Sequence, residues 1–189
     1  MSDPSLRAAA QPVLDEIGDV FARMDAAWIA DLAGEILGAR RILCHSAGRT
    51  GLVLRAFVMR LVHLGREAHM VGDVTAPPIG PGDLLLVNAA TGDLPSAVAH
   101  LGSAARAGAR RVVLTAATTG AARDRADRVF VLPAQTMLDD IGAGRRSALP
   151  MGSQYELALL VATELVVLEL MRMTRTDFDA MRGRHANIQ

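Results

Sequence analysis

The sequence contains no lysine. All 20 basic residues are arginine, which excludes a Schiff-base mechanism because that chemistry needs a side-chain amine. A lone cysteine, Cys44, cannot form an internal disulfide. Its apolar surroundings give it the role of a small buried hydrophobe. No group of Cys and His has zinc-ligand spacing, so no metal is expected. Aromatic residues make up 3% of the chain and like charges form no block. Both features weigh against a stacking platform for single-stranded nucleic acid. Basic and acidic residues balance at 20 each. Residues Met1-Ser2-Asp3-Pro4 show no basic stretch leading into an apolar one, so no signal peptide is expected. The longest apolar segment, Leu157 to Val167, is interrupted by Thr163 and Glu164. It falls short of the roughly 20 residues that span a bilayer. These absences predict a cytoplasmic protein with neither nucleic-acid nor membrane partners.

What is present is a chain of 189 residues, expected to form one domain over 1–189 and able to bury about 70% of its unfolded surface. Residues 4–38 carry apolar side chains at helical spacing, including Val13, Ile17, Val20, Phe21 and Met24, and predict two helices ending near Gly38. Short apolar runs then alternate with helical patterns. The runs are Ile42–Cys44, Ala68–Val71, Leu84–Val87, Val112–Leu114 and Val129–Leu132. The helical stretches are Leu52–Leu64, Ser96–Ala107 and a short one near Ala121–Ala126. Unbroken apolar runs fit strands covered on both faces. Alternation with helices predicts a doubly wound α/β fold, a three-layer sandwich with a five-stranded parallel sheet in flavodoxin-like order. A Gly- and Pro-containing loop over 133–150 carries Asp139, Asp140, Arg145, Arg146 and Ser147. A helix from Met151 to about Met173 follows, apolar nearly all round and so expected to be buried, partly by another subunit. A short helix from Thr176 and a polar tail close the chain.

Four stretches could carry chemistry. His45-Ser46-Ala47-Gly48-Arg49-Thr50-Gly51 follows the first strand, where free amides at a helix start attract anions; it also reads as a tight turn capped by Thr50. It has neither a dinucleotide fingerprint nor a P-loop. Asn88-Ala89-Ala90-Thr91-Gly92-Asp93-Leu94-Pro95-Ser96 follows the third strand in the same topological place, and also reads as a Pro-initiated helix start. Pro150-Met151-Gly152-Ser153-Gln154-Tyr155-Glu156-Leu157 sets a carboxylate at the start of an apolar helix. Such a group needs a partner or a task; it is a candidate general base or, alternatively, a capping or inter-subunit ion-pair residue. His185 lies in the polar tail, where solvation is the ordinary role. His63, His69 and His100 read as core or surface residues.

Taken together these stretches resemble the sugar isomerase domain family, and within it the 6-phospho-3-hexuloisomerases. The resemblance is carried by Ser46 to Gly51, Arg55 to Gly65, Val71 to Pro77, Gly82-Asp83-Leu84, Leu149 to Leu157 and Arg184-His185-Ala186-Asn187, and spans essentially the whole chain. It implies a phosphosugar site at the strand carboxyl ends, shared between subunits of a homotetramer. It implies an aldose–ketose or ketose isomerisation, interconverting 3-hexulose 6-phosphate and fructose 6-phosphate with no cofactor. Glu156 becomes the base, and the His185 tail reaches a neighbouring subunit's site. Ser46, Gly48, Arg49 and Thr50 from the first turn, with Asn88, Thr91, Gly92, Asp93 and Ser96 from the second, become the substrate contacts.

One departure bears on substrate. The family usually carries Ser-Gly-Ser-Gly-Glu-Thr after the third strand, where this chain has Ala89-Ala90-Thr91-Gly92-Asp93-Leu94. Two hydroxyl donors are missing, at Ala89 and Leu94. Loss of two such bonds corresponds to roughly one to three orders of magnitude in phosphate affinity. Ser46, Ser96 or an Arg could compensate. The alternatives left open are a non-catalytic phosphosugar sensor and an isomerase for a different sugar.

Overall fold

The computed structural model describes residues 5–140, 144 and 146–188. Readings placed on residues 1–4, on Arg145 and on Gln189 lie outside the described residues. Two helices come first, α1 (Leu6–Ala22) and α2 (Trp28–Gly38). Then follow β1 (Ile42–His45), α3 (Gly48–His63), β2 (Ala68–Met70), β3 (Leu84–Asn88), α4 (Pro95–Arg106), β4 (Arg110–Thr115), β5 (Arg128–Val131), α5 (Ser153–Thr174) and α6 (Phe178–Arg182).

The five strands form one parallel sheet in the order β2-β1-β3-β4-β5. This is the expected flavodoxin-like three-layer sandwich. Period-two alternation divides its side chains between two cores. Ile42, Cys44, Leu84, Leu86, Val112 and Leu114 face the layer of α1, α2, α3 and α5. Leu43, Leu85, Val87 and Val113 face α4. Every residue of β3 is buried, as a central strand covered on both faces requires. The chain leaves β1 toward one face and β3 toward the other. The carboxyl ends of these two neighbours, paired His45 to Val87, therefore border the crevice where doubly wound sheets bind ligands.

Element edges depart from the sequence pattern for identifiable reasons. β4 and β5 begin earlier than their apolar runs, because Arg110, Arg111 and Arg128 pair with Glu35, Asp127 and Asp31. The stretch near Ala121–Ala126 is only a 3₁₀ turn, Arg123–Arg125. The amides of Ala121 and Ala122 are taken by Asp93 and by the Gly92 carbonyl, leaving too few residues before β5 for a longer helix. α5 starts at Ser153 rather than Met151, since Met151 and Gly152 have φ of 54° and 76°, in the left-handed region that a right-handed helix cannot continue. Among the described residues no helix is long and apolar enough to cross a membrane.

Candidate functional site

After β1, Ala47 is extended and Gly48, the first residue of α3, takes φ of 61°; no side chain caps that helix. Its first amides therefore face the crevice without an internal acceptor, the condition that favours an anion. The hydroxyls of this turn are committed elsewhere. Tyr155 on α5 donates to Asn88 Oδ1 at 2.6 Å. Asn88 Nδ2 donates to Ser46 Oγ at 3.1 Å. Ser46 Oγ lies 2.9 Å from Thr50 Oγ1, and Thr50 donates to the Ala47 carbonyl at 2.9 Å. Since each hydroxyl has one proton, the chain runs in one direction, and Ser46 spends its proton on Thr50. Burial pushes the Tyr155 phenol far up, so this donor stays neutral. Ser46 and Thr50 offer a ligand lone pairs rather than protons.

Glu156 stands in the first turn of α5, whose N-cap, Gly152, supplies no side-chain cap. Its side chain is 13% exposed, and Oε2 lies 3.1 Å from Arg49 Nη2. Oε2 is buried and makes no aligned hydrogen bond. The charges face each other, but the carboxylate keeps its lone pairs. Arg49, mostly exposed, also reaches Ser153 Oγ at 3.4 Å. Residues 49, 153 and 156, over a hundred positions apart in part, thus meet at one edge of the crevice.

The second turn contributes differently. Gly92 is buried at φ of 84°, and a Cβ there would sit 2.4 Å from the Thr119 carbonyl oxygen. Asp93 Oδ1 accepts from the Ala121 amide at 2.7 Å, so Asp93 ties this turn to the one after β4. Thr91 faces a cavity of about 730 Å³ along the carboxyl ends of β3, β4 and β5, bordered also by Arg23, Thr118, Gln135 and Gln154. Glu16 of α1 accepts from Ser147, Ala148 and Gln154, while Gln154 Oε1 accepts from the Gln135 amide at 2.7 Å. This strut fixes the loop after β5 beside the start of α5. Burial alone would raise the Glu16 carboxyl, but those three hydrogen bonds outweigh it and hold it below its ordinary value.

On the α4 side of the crevice, His45 Nε2 lies 2.9 Å from Ser96 Oγ, and the rings of His45 and His100 are 4.4 Å apart. Burial first, and His100 second, lower the His45 pKa. His185 is not brought to this crevice within the chain. It stacks at 5.2 Å from His63, at the opposite end of α3 from Arg49, about 21 Å along the helix at 1.5 Å per residue.

Sequence reasoning placed His45, Ser153, Gln154 and Tyr155 in stretches that could carry chemistry but gave them no role, and it missed His100 and the Glu16–Gln154 strut as parts of this assembly. Two signals were available. Tyr155 is the chain's one tyrosine. Ser96 and His100 stand four apart, on one helical face. Among the described residues no group of three His, Cys, Asp or Glu side chains could hold a metal ion.

No family model matches the chain. It is 37% identical over 177 residues to the 3-hexulose-6-phosphate isomerase of Mycobacterium gastri, covering 94% of this chain and 88% of that protein. It is 30% identical over 177 residues to the 3-hexulose-6-phosphate isomerase of Bacillus subtilis (strain 168), covering 94% and 95%. The crystal structure of a Methanococcus jannaschii protein, described as inferring a molecular function of 3-hexulose-6-phosphate isomerase, superposes with a TM-score of 0.82. It is 25% identical and covers 96% of this chain and 99% of that one. Likeness at this level along almost the whole chain, on a sheet of the order found here, means that the chain belongs to the 3-hexulose-6-phosphate isomerase family within the sugar isomerase fold.

Proposed function

We propose that this protein is a phosphosugar isomerase interconverting 3-hexulose 6-phosphate and fructose 6-phosphate, with Glu156 as the base. The observation that carries the mechanism is the Glu156 carboxylate at the edge of the crevice, mostly buried, with Oε2 screened from water and free of aligned hydrogen bonds. Glu156 takes the C2 proton of the 3-ketose. The electrons of that C–H bond form the C2–C3 double bond of an enediol as the C3 carbonyl oxygen gains a proton. Return of a proton to C3 and loss of the C2 hydroxyl proton give the 2-ketose. A placed base contributes about 10²–10⁴-fold to such a transfer. Arg49, facing Glu156, stabilises the oxyanion of the enediol. The uncapped α3 amides, Thr91 and Ser96 hold the phosphate; Ser46 and Thr50 accept from sugar hydroxyls. No cofactor is required, since the reaction moves protons only.

His185 enters this scheme from a second copy of the chain, because its own tail lies at the far end of α3. The site is then shared between subunits of a homo-oligomer, taken as a tetramer. Glu156→Gln keeps the shape of the side chain and removes the base. Turnover should fall by at least 10²-fold, with the melting temperature unchanged. Proton exchange at C2 in heavy water, followed by NMR, reads the chemistry directly. Wild-type-like exchange in the variant rules out Glu156 as base. A second reading, a phosphosugar sensor without turnover, is favoured by the hydroxyls absent at Ala89 and Leu94. Ligand-induced stabilisation with no exchange by the wild type would support it over the isomerase.

A further inference from the structure

The crevice has few hydroxyl protons to donate. The hydroxyls of Ser46 and Thr50 are spent within the protein, and the second turn has no hydroxyl at positions 89 and 94. A phosphate monoester at neutral pH carries nearly two negative charges and three strong acceptor oxygens. Beside the uncapped helix amides, the polar groups on the α4 side of this edge that can answer it are Ser96, His45 and His100. His45 is the last residue of β1 and points, as Leu43 does, to the α4 face. Ser96 is the second residue of α4, whose N-terminus has no side-chain cap, and His100 lies one turn further on.

We propose that His45, Ser96 and His100 form a proton-linked receptor for the substrate's phosphate group, in which binding of the dianion brings about one proton onto the imidazole pair. This rests on the phosphosugar reading of the same crevice. Without ligand, burial first and the adjacent imidazole second disfavour the charged form of His45. Among the described residues, His100 on α4 is the charged neighbour that lowers its pKa. Two rings 4.4 Å apart resist carrying two charges, but one charge beside a dianion is favoured.

Proton uptake also redirects Ser96. A neutral His45 can accept the Ser96 proton at Nε2. An imidazolium has two N–H donors and no acceptor. Once His45 is charged, Ser96 Oγ must accept from Nε2, and its own O–H turns outward to donate to the anion. One proton therefore supplies both a positive charge and a hydroxyl donor in addition to Thr91, offsetting the hydroxyls absent at positions 89 and 94.

The sign of the pH dependence follows. The His45 pKa lies below the ordinary histidine value in the free protein, lowered first by burial and then by His100, and rises in the complex. Uptake occurs between those two pKa values, so affinity weakens as pH increases through that window. The dissociation constant should rise by up to about tenfold per pH unit there, as linkage of one proton requires.

Calorimetric titration of fructose 6-phosphate into the intact protein at pH 7, in two phosphate-free buffers of different ionisation enthalpy, counts the protons. The expected result is uptake approaching one proton for the phosphorylated sugar and none for fructose. His45→Gln retains a neutral amide near Ser96 and should bind with uptake near zero and a flat pH profile. His100→Asn removes the like neighbour, and should move the lower break of the wild-type profile to higher pH; it carries the same test if His45→Gln fails to fold. Wild-type binding without uptake, or undiminished uptake in His45→Gln, overturns the receptor and leaves the isomerase intact. Absence of binding by any sugar phosphate overturns both.

Discussion

Asn88 is a polar side chain, 1% exposed, at the end of a strand that is otherwise apolar, and one phenol makes its burial tolerable. Tyr155→Phe would leave Asn88 Oδ1 without its donor in a site too dry for water to replace it. Removing one partner of a buried hydrogen bond costs about 1–3 kcal/mol. Urea unfolding should show that loss, and the melting temperature should fall by about 2–4 °C per kcal/mol. Because Asn88 in turn orders Ser46 and Thr50, KM for the sugar phosphate should also rise. Asn88 was visible as the polar end of an apolar run, and Tyr155 as part of a recognisable stretch, but their bond was not. They stand 67 positions apart, and helical periodicity says which way a side chain faces without saying which strand residue it meets. The Glu156–Arg49 pair was hidden in the same way. Sequence alone left Glu156 as base, cap or inter-subunit partner, and only the packing of α5 against α3 brings the two together.

At the scale of the element, the turns after β3 and β4 behave as one unit. Gly92 and Gly120 meet through their backbones, and a Cβ on Gly92 would strike the Thr119 carbonyl oxygen at 2.4 Å. Gly92→Ala adds that clash to a left-handed backbone, which alone costs on the order of 1–3 kcal/mol. Thermal unfolding should register it, with weakened phosphate affinity because α4 starts from this turn. At the opposite edge of the sheet, carboxylates anchor the strand entries. Arg110 first, then the charges of Arg110 and Arg128, lower the Glu35 carboxyl against its burial. Burial would raise Asp83, but Arg40, the Gly80 amide and Arg41 outweigh it and lower it. Arg111 lowers Asp127. Carboxyls whose folded pKa is depressed add stability that is present above their unfolded values near pH 4 and lost as pH falls through the folded ones. Stability measured by urea should therefore decline below about pH 4, and less so in Asp127→Asn, which gives up its share at neutral pH. The strands were legible because buried parallel strands are written as unbroken apolar runs. The arginine-led first residues of β4 and β5 were not, since a strand whose polar end is satisfied by ion pairs looks like a loop.

For the whole molecule, the open question raised by the structure is what covers α5. Leu157, Leu160, Val161, Leu165 and Leu168 recur at helical spacing along one exposed stripe, and the neighbouring α3 also exposes Leu52 and Met59. The sequence announced this as a helix apolar nearly all round; the structure shows that its own chain covers only part of the circumference. An exposed apolar stripe of this length is the kind of surface that marks an interface. Light scattering should find an oligomer, and Val161→Arg with Leu168→Arg should yield a folded smaller species. If His185 serves a neighbour's crevice, that species should lose activity even though Glu156, Arg49 and Ser96 are untouched. Complementation tests the sharing itself. Glu156→Gln and His185→Ala are each inactive alone under this scheme. Mixed and reassembled, they place an intact Glu156 beside an intact His185 in some interfaces. For random pairing across two-fold interfaces with one intact site in each hybrid, about a quarter of wild-type activity should return. Recovery cannot occur if each crevice draws both residues from one chain, so a mixture as inactive as its parents, despite verified subunit exchange, would return His185 to the role of a solvated tail.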